Sequence, residues 1–339
     1  MNLEVGKISN ELLDKIIFSK IKYHHPDVIV GSGLSEDCSL IDFRDEICVI
    51  STDPITATAS EIGKLAVIVS GNDVATKGVK PFAIMTTLLI PPSAKISEVK
   101  AVVEDIIKIC NASDIELIGG HTEVTDAVNR IVVSATSLGK GRKNEVVYGR
   151  NVEAGDKLIL TKFAGCEGTV ILFDEFKGKL SKILDDKDIA EIESLRNSLS
   201  VTSEGVAAGK NGAKYMHDVT EGGVLGAAWE VAKKYDLGVN LYETKIPLLN
   251  STKKIADYFD IDALKLISSG VMLIAASGAD ALKIIEELKA MQINANVAGE
   301  FVEGKTELIT SEGVVEIKPP ESDDLYRALK KGENDDENR

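Results

Sequence analysis

Apolar residues recur at helical spacing in several stretches of the chain. The first stretch, residues 12–21, follows Ser9, a residue type that often caps a helix. The same spacing predicts helices over residues 61–78, over 97–110 with Ser97 as the cap, and over 222–235, which opens on a pair of glycines. Each stretch predicts a helix with one buried face.

Shorter apolar runs, rich in valine, isoleucine and threonine, lie between these helices and have the length of strands. They cover residues 28–30, 47–52, 82–90, 115–118, 130–138 and 157–161. Groups of two strands precede some helices, so the chain lacks the steady strand–helix alternation of a doubly wound sheet. The sequence therefore predicts an α+β fold.

A polar, glycine-containing stretch at residues 139–143 is the best candidate for a linker between two domains. The strand-like residues after it move the expected boundary to about residue 150. We therefore expect an N-terminal domain over residues 1–150, a C-terminal α+β domain over 151–320 and an acidic polar tail over 321–339. The tail is expected to be disordered because it is rich in charged residues.

The composition limits the kinds of partner. The chain has 339 residues, 44% of them apolar, which is enough for two domains of ordinary size. Its 39 basic and 54 acidic residues give a formal net charge of −15, so the surface should repel phosphate backbones and nucleic acid is not an expected partner. An anionic ligand must then be held locally, by backbone amides, metal ions or a few cations.

The sequence offers no support for membrane insertion or disulfide chemistry. Its apolar runs are far shorter than the ~20 residues that span a bilayer, and its first residues lack the apolar core of a signal peptide. The cysteines are Cys38, Cys48, Cys110 and Cys166, and their wide spacing excludes a paired zinc or redox motif. These features predict a cytoplasmic protein with no membrane contact.

Acidic residues stand at the ends of predicted strands or the starts of helices in the first half. They are Asp37 in GSGLSEDCSL, Asp53 in ISTDPIT, Asp73 in SGNDVATKG and Glu123 in IGGHTEV. Taken singly, an acid beside glycine or serine is most often a turn or cap residue. Together they are the hard oxygen ligands with which Mg²⁺ is held against substrate phosphates. The Walker and dinucleotide glycine patterns are absent, but a protein without a basic pocket can still hold a nucleotide through such a metal site.

The same segments occur in an order that resembles the aminoimidazole ribonucleotide (AIR) synthase superfamily. They are GSGLSEDCSLID, STDPIT, SGNDVATKGVKPFAIMTTLLIP, IGGHTEV and HDVTEGGVLGAAWEVAK, and the likeness spans about residues 5–320. NDVATKGVKP is the most specific of them. The superfamily includes selenophosphate synthetase, thiamine-phosphate kinase, formylglycinamidine synthase and the HypE-type hydrogenase maturation factors. The HypE type is the most similar, judging from NDVATKG, the TEV after the diglycine and the PPESDDLY ending.

The resemblance implies a two-domain fold in which the N-terminal mixed sheet forms a barrel with that of a second copy in a homodimer. It also implies ATP and Mg²⁺ in a groove near the dimer interface, with the C-terminal α+β domain covering it. Asp37, Asp53 and Asp73 match the acidic positions of the superfamily and would ligate the metal. Asn72 belongs to the same motif as Asp73 and is a further candidate for nucleotide binding.

The segment from Gly119 to Glu123 departs from the superfamily pattern. Many relatives have an acid directly after the diglycine Gly119–Gly120, where this chain has His121, and a neutral imidazole suits transition metals better than Mg²⁺. Residues two apart on a strand share a face, so Glu123 is the preferred replacement ligand. His121 is left as a structural or base-contacting residue, with metal ligation the less favoured alternative.

A second diglycine, Gly222–Gly223, opens a predicted helix whose free amides could bind an anion. The resemblance makes these glycines candidates for contacts with phosphates or substrate. Asp218 and His217 are candidates for a substrate-facing pair, with a cap slightly favoured for His217. Two simpler explanations stay open: the glycines permit tight packing, and His217 and Asp218 are caps.

The HypE-type reaction uses a cysteine near its C-terminus, whereas the last cysteine of this sequence is Cys166. The leading hypothesis is therefore an ATP- and Mg²⁺-dependent enzyme that phosphorylates a carbonyl or amide oxygen of a small substrate. A small-molecule kinase resembling thiamine-phosphate kinase is the second hypothesis. The third is a nucleotide-binding maturation or scaffold protein with little turnover, acting with a maturation-protein partner.

Overall fold

The computed structural model describes residues 8–56, 61–320 and 322–337. Within these residues the chain forms two β-sheets, one from each half of the sequence, and helices pack against both. No helix in this part of the chain has the length and apolarity needed to cross a membrane.

The first sheet has six strands in the order β1-β2-β3-β6-β4-β5. β4 and β5 run parallel, and the other neighbouring strands are antiparallel. The strands are Val28–Val30 (β1), Ser39–Phe43 (β2), Glu46–Ile55 (β3), Pro81–Ile90 (β4), Glu116–Val124 (β5) and Val132–Arg142 (β6). The strands predicted in this half of the sequence are confirmed, with small shifts of their bounds.

The second sheet has seven strands in the order β13-β12-β9-β11-β7-β10-β8. Only the β12–β9 pair is parallel among the described strands of this sheet. The strands are Lys157–Thr161 (β7), Tyr215–Val219 (β8), Gly238–Tyr242 (β9), Val271–Ala276 (β10), Ala295–Val302 (β11), Glu307–Thr310 (β12) and Gly313–Glu316 (β13). Because β8 lies at one edge, its side chains can reach groups outside the sheet.

The helices lie between the strands and after them. They are Asn10–Ile16 (α1), Ile62–Ala75 (α2), Ile96–Ser113 (α3), Cys166–Glu175 (α4), Lys177–Leu180 (α5), Asp186–Arg196 (α6), Thr202–Lys210 (α7), Gly223–Lys234 (α8), Asn250–Phe259 (α9), Gly278–Ala290 (α10) and Asp324–Glu337 (α11). Ser9 caps α1 as predicted, since its Oγ accepts the N–H of Leu12 at 3.4 Å. The prediction that Ser97 caps α3 is wrong, because the helix begins one residue earlier and Lys95 is its cap.

Helix α2 is buried on nearly all sides rather than on one face. It packs on β3 and β6 of the first sheet and also contacts α7 and β8 from the second half of the chain. The approach to α7 is close: a Cβ added at Gly205 would lie 2.2 Å from the carbonyl oxygen of Ala75. The apolar sequence of α2 suits this central position, since a helix that is hydrophobic all round is buried.

The prediction of a linker at residues 139–143 is wrong. β6 continues through Gly139 to Arg142 and pairs with β3 along this length. Gly139 is required there because an added Cβ would lie 2.4 Å from Cγ1 of Val74 on α2. The glycines therefore permit close packing rather than chain flexibility, and the domain boundary near residue 150 stays a prediction.

The expected disorder of the tail is also wrong for its described part. α11 begins at Asp324 and buries Leu325 and Ala328 against the core of the second half. A Cβ added at Gly332 would lie 2.2 Å from the ring of Phe176, so this helix packs tightly. The apolar residues of DLYRAL recur at helical spacing, and their burial outweighs the charge of the residues around them.

Strand β5 is an exposed edge. All nine of its residues are exposed, including Leu117, Ile118 and Val124. Within the described residues the first sheet stays open and does not close into a barrel. An exposed edge with apolar side chains is a surface on which another strand can pair.

We predict that Asn72→Ala destabilises the fold. Asn72 is fully buried at the α2–α7 contact, where its Nδ2 donates to the carbonyl oxygen of Leu199 at 2.9 Å and its Oδ1 accepts the N–H of Val201 at 2.8 Å. Removal of the amide leaves two buried backbone groups unpaired, at a cost of about 1–3 kcal/mol. Thermal melting should fall by several degrees, whereas Asn197→Ala, at an exposed residue, should leave it unchanged. An unaltered melting temperature in Asn72→Ala would contradict this role.

Candidate functional site

The loop between β1 and β2 carries Asp37 and is fixed by buried contacts. Its backbone oxygen at Ser35 accepts the hydroxyl of Tyr215 on β8 at 2.6 Å. Glu36 pairs with the buried ammonium of Lys77 at 3.3 Å and with Lys234 on α8. Lys77 and Lys234 belong to different halves of the chain, and their shared contact with Glu36 holds this loop against β8.

Asp73 lies in the last turn of α2, where the helix meets the end of β3. Its Oδ2 accepts the hydroxyl of Ser51 at 2.5 Å, and its backbone oxygen accepts the thiol of Cys38 at 2.8 Å and the hydroxyl of Thr76 at 2.6 Å. Asp73 is 6% exposed. Several donors therefore fix both its side chain and its backbone.

Four carboxyl groups converge at this point from distant parts of the chain. The carboxyls of Asp53 on β3 and Asp218 on β8 both make hydrogen-bonding contacts with that of Asp73. Ligand atoms of Asp37, His217 and Asp218 all lie within 4.8 Å of one another. We call Asp37, Asp53, Asp73 and Asp218 the acid cluster.

His217 is a hydrogen-bond partner of two carboxylates. Its Nδ1 lies 2.7 Å from Oδ1 of Asp37, and its Nε2 lies 3.2 Å from Oε2 of Glu230 on α8. Burial opposes protonation, but the charges of Asp37 and Glu230 outweigh it and raise the pKa of His217 to about 10. The ring is then an imidazolium that donates to both carboxylates, so it positions Asp37.

The acid cluster holds more negative charge than its surroundings offset. Burial, with the charges of Asp218, Asp53 and Asp37 in addition, raises the pKa of Asp73 well above its usual range. Burial and the charge of Asp37 raise the pKa of Asp218 to about 7. Without a cation, these buried carboxyls must share protons.

Two oxygens of the acid cluster point to a cation as the missing partner. Oδ2 of Asp37 and Oδ2 of Asp218 are buried and have no hydrogen-bond partner among the described residues. Buried acceptors are rarely left unpaired, and Mg²⁺ takes carboxylate oxygens as ligands. The residues at this site therefore fit a divalent cation.

The structure does not bring Glu123 to the acid cluster of its own chain. Asp53 lies on β3 and Gly120 lies at the same level of the sheet on β5, with β6 and β4 between them. Three strand spacings separate the two residues, a distance of about 14 Å. His121 and Glu123 are displaced from Gly120 by odd numbers of residues, so they project from the opposite face of the sheet. They contact each other, with 2.9 Å between Nε2 and Oε2. Metal binding by Glu123 stays a prediction that this geometry does not support within one chain.

Several predicted nucleotide contacts have structural explanations. Asn72 ties α2 to residues 199–201 through the two bonds described above. Gly120 is required by packing, because an added Cβ would lie 1.8 Å from the carbonyl oxygen of Thr86. Gly119 is exposed on the same edge strand. A nucleotide role for these residues remains a prediction.

The diglycine at the start of α8 is engaged within the protein. The N–H of Gly222 donates to Oδ2 of Asp323 at 2.7 Å, and Oδ1 of Asp323 accepts the N–H groups of Leu325 and Ile267 at 2.8 and 3.2 Å. A Cβ added at Gly223 would lie 2.5 Å from the carbonyl oxygen of Leu264. The packing alternative thus accounts for this motif, and the anion at its helix start is a carboxylate of the same chain.

Sequence reasoning missed the residues that support the acid cluster. His217 was favoured as a cap, although it positions Asp37, and Glu230, Lys77 and Lys234 were not considered as site residues. The signal was weak, because these partners are far apart in sequence: His217 and Asp37 are separated by 180 positions.

Two family descriptions match the chain. Residues 35–140 match the N-terminal domain of AIR synthase related proteins, and residues 153–311 match the C-terminal domain of the same family. Together the two matches cover most of the chain and include all four members of the acid cluster. The chain belongs to the AIR synthase-related family. The resemblance inferred from the sequence is thereby confirmed.

Relatives of this AIR synthase-related protein include hydrogenase maturation proteins. A putative hydrogenase expression/formation protein of Methanocaldococcus jannaschii is 27% identical over 296 residues, which cover 86% of each chain. Carbamoyl dehydratase HypE of Escherichia coli is 26% identical over 260 residues, which cover 75% of this chain and 74% of the relative.

Solved structures of HypE share the fold. A hydrogenase maturation protein HypE in complex with ATP superposes with a TM-score of 0.70 at 18% identity, covering 96% of this chain and 98% of the other. A HypE–HypF complex matches with a TM-score of 0.70 at 22% identity, covering 85% of this chain and 94% of the other. The AIR synthase-related protein therefore has the two-domain mixed α/β fold of these structures.

We predict that Asp218→Asn separates fold stability from cation binding. In metal-free buffer above neutral pH, the substitution removes one buried like charge, so thermal melting should rise or stay constant. Added Mg²⁺ should raise the melting temperature of the wild type, since a ligand of the folded state stabilises it. This increase should be lost in Asp218→Asn.

Asp45→Asn is the matched control, because Asp45 is exposed and lies outside the acid cluster. It should keep the full Mg²⁺-dependent increase. A normal increase in Asp218→Asn would show that this carboxyl takes no part in cation binding.

Proposed function

We propose that this protein is an ATP-dependent enzyme that activates a carbonyl or amide oxygen of a small substrate by phosphorylation. The observation that carries the proposal is the acid cluster, in which two buried and two half-buried carboxyls from both halves of the chain meet and two of their oxygens have no partner among the described residues. A protein with a net charge of −15 repels a triphosphate, so a cation site is the means of holding one.

The four carboxyls have distinct supports that suit them to hold divalent cations. Asp73 is fixed by Ser51, and Asp37 is fixed by the imidazolium of His217. Bound Mg²⁺ would neutralise the phosphate oxygens and the charge that develops on the transferred group. The protein side chains hold and orient the reacting groups, and most of the rate increase in phosphoryl transfer comes from this positioning and neutralisation.

Similarity to HypE supports ATP as the nucleotide, since one of the matching structures is a HypE bound to ATP. The thiol beside the acid cluster is that of Cys38, which donates to the backbone of Asp73, and burial raises its pKa well above its usual range. A buried protonated thiol is a poor nucleophile. We therefore propose an oxygen atom of a small substrate, rather than a thiol of this site, as the group that ATP activates.

Association with other proteins is part of the proposal. The exposed edge strand β5 supports a homodimer in which the first sheets of two copies join into a barrel. His121 and Glu123 would then lie at the interface. The likeness to HypE in a HypE–HypF complex supports a maturation-protein partner.

We predict that Asp73→Asn lowers ATP turnover at least about tenfold, because it removes one carboxylate from the cation site. Release of ADP should be measured with ATP, Mg²⁺ and a panel of small carbonyl and amide compounds. Asp114→Asn is the control, since Asp114 is exposed and pairs with Lys80 at 3.0 Å. Turnover that survives Asp73→Asn unchanged would refute the cation site.

The products of this assay separate the candidate functions. Free phosphate with an altered substrate supports activation by phosphorylation. A stable phosphorylated product supports a small-molecule kinase. Tight binding of ATP without ADP release supports a scaffold role.

We predict that the protein sediments as a dimer and that Ile118→Lys converts it to a monomer. Ile118 lies on β5 and is 50% exposed, so a charge there would be buried without a partner when a second copy covers this strand. Leu282→Lys is the control, because Leu282 is an exposed apolar residue of α10 in the other half. A monomeric wild type, or a dimeric Ile118→Lys, would contradict this interface.

A further inference from the structure

A cavity lies next to the acid cluster. It has a volume of about 540 Å³ and lies between α1, the loop at Gly33–Leu34, α8 and Pro319–Pro320. This volume is in the range of sites for small organic ligands. The cavity is open to solvent on the side of α1, whose residues are exposed or half-buried.

The charge of the cavity wall is strongly negative. Glu11 and Asp14 come from α1. Glu221 lies just before the start of α8, and Glu230 lies within this helix. Lys233 is the one basic residue in the described lining. The imidazolium of His217 offsets the charge of Glu230, which leaves Glu11, Asp14 and Glu221 against the ammonium of Lys233. This net negative charge repels a phosphate and attracts a cationic ligand.

The wall also offers apolar contacts. Trp229, Phe18 and Leu34 line it together with the two prolines. An indole face binds an organic cation through the ring quadrupole as well as by contact with its apolar part. The lining therefore suits a ligand that combines a positive charge with an apolar body.

A chain of hydrogen bonds joins this cavity to the acid cluster. Glu230 lines the cavity, its Oε2 lies 3.2 Å from Nε2 of His217, and Nδ1 of the same ring lies 2.7 Å from Oδ1 of Asp37. Asn10 of α1 donates to Oε1 of Glu230 at 2.9 Å. One imidazole ring is thus all that separates the wall of the cavity from a carboxylate of the acid cluster.

We propose that this cavity binds the ammonium or amidinium group of a small organic cation with an apolar body. The same cation is proposed as the substrate whose oxygen is activated at the acid cluster. Only this second part rests on the proposed function. ATP is excluded from the cavity by its charge. The ligand is held instead by carboxylates and by the indole of Trp229.

The fluorescence of the protein provides a direct test, because Trp229 is its single tryptophan. Benzylammonium is the probe, and benzyl alcohol is the neutral control of the same shape. Titration without ATP or Mg²⁺ should change the tryptophan emission saturably with benzylammonium at roughly millimolar concentrations, and not with benzyl alcohol. No saturable change with benzylammonium, or an equal change with both probes, would overturn the proposal.

A pair of double variants tests the role of the carboxylates. Glu11→Gln with Asp14→Asn should weaken benzylammonium binding about tenfold, because two exposed acids of the wall lose their charge. Asp45→Asn with Glu312→Gln removes the same net charge at exposed positions outside the lining and should leave binding unchanged. Equal affinities of the two double variants would overturn the assignment.

The result is independent of the nucleotide assay. Binding of benzylammonium without ADP release would refute the enzyme and leave the cation cavity. Release of ADP without benzylammonium binding would leave the enzyme and refute the cavity assignment.

Discussion

Repulsion among closely spaced carboxylates is the constraint on which the arrangement of this protein depends. Four aspartates meet, two of them buried and two half-buried, and their mutual repulsion opposes folding unless cations or protons compensate it. The fold supplies part of the compensation through His217 beside Asp37 and through Lys77 and Lys234 on either side of Glu36. The remaining negative charge is what the proposed cation would neutralise.

The two halves of the chain are joined at the same place. Asn72 and Asp73 are neighbours in the last turns of α2, yet one bonds the backbone of residues 199–201 and the other joins the acid cluster. Asp218 and His217 come from β8 of the second half. Any relative movement of the two sheets would therefore separate the carboxyls, which couples cation binding to the contact between the halves.

Local sequence patterns predicted the parts of the site that depend on neighbouring residues. Asp37, Asp53 and Asp73 were found because each follows a strand or belongs to a helix segment with a distinctive motif. Asp218 was a candidate only as one of a substrate-facing pair with His217, with a cap as the alternative. That these carboxyls converge in three dimensions, and that two of their oxygens lack a partner among the described residues, is visible only in the structure.

The predictions from sequence that the structure does not support share one physical cause. In each case the group that makes the decisive contact is distant in the sequence. The free amide at Gly222 was expected to bind phosphate, but a carboxylate 101 positions away accepts its hydrogen. Glu123 does not reach the acid cluster of its own chain, because sheet register sets the face of each side chain. Gly139 and Gly141 resembled a linker because their close contacts with Val74 and Val79 come from another element.

The anchoring of α11 has a consequence for shortened forms of the protein. The family match ends at residue 311, but Asp323 holds the first turn of α8, and Leu325 and Ala328 cover apolar residues of the second half. A chain cut at that point would expose part of its interior and leave the rim of the organic-cation cavity without Pro319 and Pro320. Such a fragment would be prone to aggregation, so the end of the family match is not a safe place for truncation.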